Sequence, residues 1–278
     1  MLTSRIKFKN FQIKSKNLKT KKIFNTLFIQ KSEVLNSLSK SYKNSFNSKL
    51  LNKYKSFSNF RVIGMGGSSL GSKAIYFFLR KKIKKSFKFF DNLSPHKKTS
   101  KKGSCNLIIS KSGNTVETII NANVYINKND KNIFITEKKN NYLSKLAEKL
   151  KSEIIHHNNY IGGRYSVLSE VGMVPAELMG LKPKNFKNLN NLIKNKKFTN
   201  ALISNVNSIL SLLKKKKFNS IIINYDEQSE SLFNWYQQLV AESLGKKNKG
   251  IFPIISSMPK DNHSLLQLYL DGPKNNFF

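Results

Sequence analysis

The fold is decided by one stretch of the sequence, Phe60-Arg61-Val62-Ile63-Gly64-Met65-Gly66-Gly67-Ser68-Ser69-Leu70-Gly71. Its first four residues are mostly apolar and predict a short strand, and the glycines that follow predict a tight turn. Apolar residues recur at helical spacing over residues 70–83 and predict a helix that leaves this turn. A strand, a glycine-rich turn and a helix in this order are typical of α/β proteins.

The same pattern recurs along the next hundred residues. Further strands are predicted at 106–109, 131–136 and 153–156, and further helices at 116–126 and 142–150. Strands that alternate with helices form parallel sheets that are covered by helices on both faces. The sequence therefore predicts a doubly wound α/β domain over residues 58–181.

The regions on either side of this domain differ in composition. Residues 1–57 alternate lysine-rich and apolar groups and are interpreted as a helical or loose arm, and the polar residues 182–197 as a linker. Residues 198–278 again alternate predicted helices and strands, and a new apolar run starts near the last residue. We therefore expect a second doubly wound α/β domain over residues 198–278 that is incomplete.

The formal net charge of +35 first suggests a nucleic-acid partner. The lysines, however, are scattered along the chain together with many Asn, Ile and Phe, residue types whose codons are all AT-rich, so genomic base composition explains the excess. Basic runs also lack the interleaved aromatic residues of a single-strand binding surface. No dedicated nucleic-acid partner is expected, although a positive field would help an anionic substrate to reach the protein.

The remaining composition indicates a cytoplasmic protein. Cys105 is the single cysteine, so no intramolecular disulfide can form. No apolar run approaches the roughly 20 residues that a membrane-spanning helix needs. The lysine-rich N-terminal residues lack the apolar core of a secretory signal. No membrane partner is expected.

Two loops at predicted strand-to-helix junctions have residues suited to binding a phosphate. In the first, over residues 64–71, glycines such as Gly67 let the backbone approach an anion, and Ser68 adds a hydroxyl. Its spacing differs from the G-x-G-x-x-G pattern of dinucleotide sites. The second loop follows the next predicted strand and contains Ser110, Lys111, Ser112 and Thr115.

Either loop alone is compatible with an ordinary turn or helix cap. Both loops, however, follow strands of the same predicted sheet. Because parallel sheets bind ligands at the carboxyl ends of their strands, the pair of loops predicts a phosphate site.

Several motifs resemble those of the glucose-6-phosphate isomerase family, whose members contain sugar isomerase (SIS) domains. They are Gly-Met-Gly-Gly-Ser-Ser-Leu-Gly at residues 64–71, Gly-Gly-Arg-Tyr-Ser-Val-Leu-Ser at 162–169, Ala-Glu-Ser-Leu-Gly-Lys at 241–246, Lys-Gly-Ile-Phe-Pro at 249–253 and Asn-His-Ser-Leu at 262–265. They occur in the order of the family and extend from about residue 60 to the C-terminus. The resemblance implies two SIS domains, with the second incomplete.

The resemblance also implies roles for individual residues. Glu242 matches the carboxylate that moves a proton between C1 and C2, Arg164 the arginine that stabilises the enediolate, and His263 the histidine that assists ring opening. Phosphate binding is implied for Gly67, Ser68, Ser110, Lys111, Ser112 and Thr115. The family uses no metal or other cofactor, and a homodimer is implied.

Two departures from the family pattern leave alternatives open. The residues Ser112-Gly113-Asn114 differ from the S-K-T-x-T-T loop of many relatives, which keeps an isomerase with broader specificity, such as for mannose 6-phosphate, in consideration. The chain also stops before the family's C-terminal lysine. A truncated fragment, or a sugar-phosphate-binding module without catalysis, is therefore the alternative to a complete isomerase.

Overall fold

A computed structural model describes residues 18–30, 32–93, 103–127 and 129–278. The strands are β1 (Asn59–Gly64), β2 (Ser86–Phe90), β3 (Ser104–Ile109), β4 (Lys131–Glu137), β5 (Glu153–His157), β6 (Asn219–Asn224), β7 (Phe252–Ser257) and β8 (Asn276–Phe277). The α-helices are α1 (Leu18–Ile29), α2 (Glu33–Ser37), α3 (Ser48–Leu51), α4 (Leu70–Phe78), α5 (Val116–Tyr125), α6 (Tyr142–Lys149), α7 (Glu170–Leu178), α8 (Leu189–Lys194), α9 (Lys196–Lys214), α10 (Glu230–Leu244) and α11 (Leu266–Asp271). Within these described ranges, no helix combines the length and apolar character that crossing a bilayer requires.

The chain divides into two compact units. The first unit comprises Lys43–Phe186 and Asp226–Leu239. The second unit comprises the described residues of Met1–Tyr42 together with Lys187–Tyr225 and Val240–Phe278. The domain boundaries at residues 57/58, 181/182 and 197/198 remain predictions from the sequence.

The first unit is built on a parallel five-stranded sheet with the order β2-β1-β3-β4-β5. Successive residues of a strand point to opposite faces, and neighbours such as Ile108 and Ile109 accordingly join two separate apolar cores. One core contains residues of α4 and α7, and the other contains residues of α5 and α6. Helices therefore cover both faces, and the predicted doubly wound α/β class is confirmed.

A polar ladder fixes the register of the central strands. Arg61, Asn106 and Asn132 are paired across β1, β3 and β4, and all three are buried. The Arg61 guanidinium donates to Asp130 at 3.2 Å, and the Asn106 amide donates to the same carboxylate at 3.0 Å and to the Asn132 amide oxygen at 2.8 Å. If one strand were shifted by one residue against its neighbour, the buried charge of Arg61 would be left unpaired. The ladder therefore fixes the strand register, and with it the position of the loops that follow β1 and β3.

Cys105 in β3 is fully buried, and burial raises the pKa of its thiol to about 12. Since the thiolate is the reactive form, we expect no reaction with an aromatic disulfide reagent at pH 8 in the folded protein. Full reaction of this single cysteine is expected in denaturant, where the thiol regains its ordinary pKa. Modification of the folded chain at the denatured rate would contradict this packing.

Three elements of the first unit differ from the sequence-based expectation. The strand β2 was not predicted, and neither was α7. The helix predicted over residues 70–83 ends earlier, at Phe78, because Arg80–Lys82 forms a separate 3-10 turn and Ile83 is extended.

The second unit is built on a parallel three-stranded sheet with the order β7-β6-β8. An apolar cleft of about 1200 Å³ lies beside it, lined by residues such as Leu210, Phe218 and Ile251. The Phe252 side chain in β7 is 72% exposed. The segment 182–197, which was interpreted as a linker, contains a 3-10 turn, the helix α8 and the first residues of α9.

Candidate active site

The strand order of the first unit places a switch point between β1 and β3. In the strand order, β2 lies beyond β1 toward one edge of the sheet, and β4 lies beyond β3 toward the opposite edge. The connections from β1 to β2 and from β3 to β4 therefore run in opposite directions. In doubly wound sheets with this order, the connections diverge at the switch point and leave a crevice at the carboxyl ends of the two strands. The loops that follow β1 and β3 are the two loops that the sequence predicts to bind phosphate.

The glycine loop after β1 packs directly against the segment that carries Arg164. A Cβ atom on Gly67 would lie 2.3 Å from the carbonyl carbon of Gly163 and 2.6 Å from the backbone nitrogen of Arg164. Such distances exclude any side chain, so glycine is required for this close approach of two backbones. The Ser166 hydroxyl donates to the Gly163 carbonyl at 2.6 Å and tightens the same turn.

The loop after β3 forms a cup of hydroxyl and amide groups. The hydroxyls of Ser110 and Thr115 lie 2.9 Å apart, and the Gly113 amide donates to the Ser110 hydroxyl at 3.2 Å. Gly113 has a φ of +68°, and a Cβ there would overlap the Asn141 side chain at 2.0 Å. Only glycine fits this left-handed position, which turns the loop back over the strand.

The helix α5 begins at the rim of this cup. Its N-cap residue Thr115 makes no capping hydrogen bond through its side chain, and Ser112, three residues earlier in the loop, is exposed. The amide groups of a first helical turn attract anions when they are not capped. In the same turn, the hydroxyl of Thr118 is buried without a hydrogen-bond partner among the described residues. The cup therefore offers several donors to an anion.

Lys111 connects the cup to the loop that precedes Arg164. Its ammonium donates to the carbonyl of Asn159 at 2.7 Å, and its own carbonyl accepts from the Glu137 amide at 3.0 Å. The ammonium group of Lys111 therefore hydrogen-bonds to the main chain of the neighbouring loop. Toward an anion in the cup, this lysine would act through its positive field and through the backbone that it holds in place.

Arg164 lies in a 3-10 helix, Gly163–Leu168, directly before α7. Its guanidinium stacks on the Tyr165 ring at 4.6 Å from the centroid, and its carbonyl accepts a hydrogen bond from the Trp235 indole at 3.3 Å. A stacked guanidinium is restricted to few orientations, which suits a fixed positive charge.

The helix α10 carries the candidate base Glu242 in its last turn, with an exposed side chain. Earlier in this helix, Trp235 contacts Arg164, and the Gln238 amide nitrogen would lie 2.9 Å from a Cβ placed on Gly66. Residues that are three or four positions apart share one side of a helix. Glu242 follows this part of α10 in the chain and belongs to the second unit.

The exposed His263 ends a 3-10 turn, Lys260–His263, that Asp261 organises. The Asp261 carboxylate accepts hydrogen bonds from the Ser256 hydroxyl at 2.9 Å, from the Ser257 amide at 2.8 Å and from the Ser264 hydroxyl at 3.3 Å. These bonds, led by that of Ser256, lower the pKa of the carboxyl group. Asp261 thereby fixes the turn that presents His263.

The structure brings together the predicted residues of the first unit. The Gly67 loop contacts the Arg164 turn, and Lys111 joins the hydroxyl cup to the loop before Arg164. Glu242 and His263 lie in the second unit. In the described ranges, no group of three or more His, Cys, Asp or Glu side chains is arranged to hold a metal ion.

Sequence reasoning did not find four residues that support this site. They are Trp235, which donates to the Arg164 carbonyl, Gln238, which lies against Gly66, Asn141, which packs against Gly113, and Thr118, which is buried in the first turn of α5. Thr118 follows Thr115 by three positions, a helical spacing that could have identified it. No local signal marks the other three, because each contacts a segment distant in the sequence.

A sequence profile of the family described as Phosphoglucose isomerase matches residues 30–252. The glucose-6-phosphate isomerase of Methanocaldococcus jannaschii is 36% identical over 249 residues, which cover 81% of this chain and 61% of the relative. A crystal structure of a hypothetical protein from Thermus thermophilus matches with a TM-score of 0.75 at 22% identity, covering 94% of this chain and 69% of that chain. A glucose-6-phosphate isomerase from Chlamydia trachomatis matches with a TM-score of 0.64 at 22% identity, covering 87% of this chain and 51% of that chain.

These similarities differ in what they establish. The structural matches, at 22% identity, establish the fold. The chain spans 61% of the length of the archaeal relative, so the activity of that whole protein is not transferred directly. The profile covers well over half of the 278 residues. The chain therefore belongs to the phosphoglucose isomerase family.

Proposed function

We propose that this chain provides the active site of an aldose–ketose isomerase that interconverts glucose 6-phosphate and fructose 6-phosphate. The observation that carries the proposal is the cup of hydroxyl and amide groups at the switch point between β1 and β3, where doubly wound sheets bind ligands. The name of the archaeal relative, a glucose-6-phosphate isomerase, supports the choice of substrate.

In this proposal, the phosphate binds at the cup and in the adjoining glycine loop. The hydroxyls of Ser110, Ser112 and Thr115, together with the first amides of α5, would surround its oxygens. Gly67 and Ser68 would contribute from the loop after β1. The high positive charge of the chain would attract the dianionic substrate, and the bound phosphate would hold the sugar for the reaction.

The chemistry is assigned to three side chains. His263 would move a proton to or from the ring oxygen as the sugar ring opens. Glu242 would take the proton from C1 of fructose 6-phosphate and, through a cis-enediol, return a proton to C2 to give glucose 6-phosphate. The Arg164 guanidinium would stabilise the negative charge that develops on the enediolate oxygen.

The biological setting is part of the same proposal. An enzyme with this activity would act in glycolysis and gluconeogenesis, and we propose a cytoplasmic location for the chain on that ground. We further propose that it acts as a homodimer. Sedimentation at micromolar concentration tests this assembly, and a strictly monomeric active chain would contradict it.

The proposed function is tested by following glucose 6-phosphate formation with a coupled dehydrogenase after adding fructose 6-phosphate to the purified chain. Turnover at a rate proportional to protein concentration is the expected result. Calorimetry with fructose 6-phosphate is run in parallel. Binding without turnover would replace the isomerase by a sugar-phosphate-binding module, and absence of both would reject the assigned site.

If the phosphate binds in the cup, loss of one of its hydroxyls should weaken substrate affinity. Changing Ser112 to alanine removes an exposed hydroxyl at the rim, and we expect the KM for fructose 6-phosphate to rise about tenfold because a hydrogen bond to a charged group is lost. Steady-state kinetics measure this. Ser86→Ala, at an exposed position that starts β2, is the control and should leave KM unchanged. An unchanged KM in Ser112→Ala would remove this hydroxyl from the phosphate site.

A further inference from the structure

A buried histidine ends the strand that leads into the Arg164 loop. His157 is the last residue of β5 and is 3% exposed. Its Nε2 atom lies 3.0 Å from the carbonyl oxygen of Ile161, a distance at which the ring donates a hydrogen bond across the turn that follows the strand. The turn is closed further by the Ile161 amide, which donates to the Asn158 carbonyl at 3.1 Å.

A buried glutamate faces the other nitrogen of this ring. Glu170 is the first residue of α7 and is 1% exposed. One carboxylate oxygen accepts the Ser45 amide at 3.0 Å, and the other lies 3.5 Å from Nδ1 of His157. The Ser45 hydroxyl also donates to the His156 carbonyl at 2.5 Å. The ring of His157 therefore has a hydrogen-bond partner on its Nε2 side, whereas its buried Nδ1 makes no hydrogen bond among the described residues and has the Glu170 carboxylate within ion-pair distance.

The electrostatics of Glu170 are consistent with an ionised carboxylate at this position. Burial is the largest influence and by itself would raise the pKa of the carboxyl group. The interactions with His157 and with the backbone amides of Ser45 and Glu170 outweigh burial and lower this pKa below its ordinary value of 4.5. The buried charge is thus compensated by groups from three separate segments.

The contact between these two side chains closes a loop. The residues between His157 and Glu170 form the turn after β5 and the 3-10 helix that carries Arg164. One side of this loop is held by Lys111, whose ammonium binds the Asn159 carbonyl at 2.7 Å, and another lies against Gly67. The base of the loop is held where the strand end and the helix start meet, at the contact between His157 and Glu170.

We propose that His157 and Glu170 form a positioning pair that closes the base of this loop and sets the alignment of Arg164 with the reacting sugar. Neither side chain touches the substrate in this scheme. Both act through Arg164, so the inference rests on the proposed isomerase function for its kinetic consequence. Its structural consequence, an ordered loop, can be measured independently of turnover.

The kinetic test compares His157→Phe with His157→Gln. Phenylalanine removes both polar contacts, and we expect kcat for fructose 6-phosphate to fall about tenfold with KM within about twofold, because the loosened loop carries Arg164 while the residues assigned to phosphate binding lie outside it. Glutamine keeps an amide that can donate to Ile161, and kcat should recover to within about threefold of wild type. In an Arg164→Ala background, His157→Phe should cause no further loss.

A stability control separates positioning from a general loss of structure. Ile133→Val trims a fully buried side chain of β4 away from the loop, and its kcat per folded molecule should equal that of wild type. The proposal is overturned if His157→Phe behaves like this control. It is also overturned if phenylalanine and glutamine lower kcat equally while raising KM.

The structural test uses amide hydrogen exchange of residues 158–164. We expect exchange in this segment to be at least about tenfold faster in His157→Phe than in wild type, and unchanged in Ile133→Val. This comparison holds whether or not the chain isomerises fructose 6-phosphate. Absence of wild-type turnover would reject the proposed function, whereas unchanged exchange in His157→Phe would reject the positioning pair.

Discussion

Replacing Glu242 with glutamine is expected to lower kcat for fructose 6-phosphate by about 10³-fold or more, because the amide cannot accept the proton that the base must carry between C1 and C2. Glutamine has nearly the same shape as glutamate, so sugar-phosphate binding measured by calorimetry should stay within about threefold of wild type. Loss of turnover with binding intact is the combination expected of a group that acts in the chemical step.

A matched control for this change lies on the same helix. Glu230 is exposed in the first turn of α10, three turns away from Glu242. Glu230→Gln makes the same chemical change at a position without an assigned role, and its kcat should equal that of wild type. Full activity in Glu242→Gln would remove this residue from the mechanism.

The second large effect is expected from Gly67→Ala. The added methyl group would lie 2.3 Å from the carbonyl carbon of Gly163 and 2.4 Å from its oxygen, so two backbone segments must separate. We expect the free energy of unfolding to fall by about 3 kcal/mol, the upper part of the usual range for overpacking. Since the displaced segment carries Arg164, turnover should be lost as well. Denaturant unfolding and the coupled assay measure the two effects.

Gly162→Ala provides the comparison for this substitution. Gly162 has an ordinary extended conformation, with a φ of −69° and a ψ of 151°, and a Cβ there would meet only a Tyr165 ring carbon at 3.6 Å. Its unfolding free energy should change by less than about 1 kcal/mol. Equal stability of Gly67→Ala and wild type would show that the two loops do not pack as described.

The sequence predicted those parts of the fold that are marked by local patterns. The strands β1, β3 and β4 are apolar runs followed by turns, and alternation with helices was sufficient to predict the parallel sheet. The strand β2 was missed because Lys88 interrupts its aromatic residues, which is tolerable at a sheet edge where one face is half-exposed. All nine residues of α7 are buried, so no polar face reveals its period, and Pro175 argues against a helix.

The candidate site likewise has a part that local sequence patterns predict and a part that they do not. The glycine loop and the hydroxyl cup were predictable because their residues are contiguous and follow strands. The contacts of Trp235 with Arg164 and of His157 with Glu170 were not predictable, because they join segments that only the tertiary fold brings together. Glu242, Arg164 and His263 were identified through the family motifs, and their joint action stays a proposal.

The central claim, proton transfer by a carboxylate through an enediol, is tested most directly by isomerising fructose 6-phosphate in heavy water and examining C2 of the glucose 6-phosphate product by proton NMR. A carboxylate that holds the proton between removal and return exchanges it with solvent. Deuterium is therefore expected to accumulate at C2 over repeated turnovers of the wild-type chain, and Glu242→Gln is expected to form neither product nor label. Sustained turnover with C2 free of deuterium would contradict this claim.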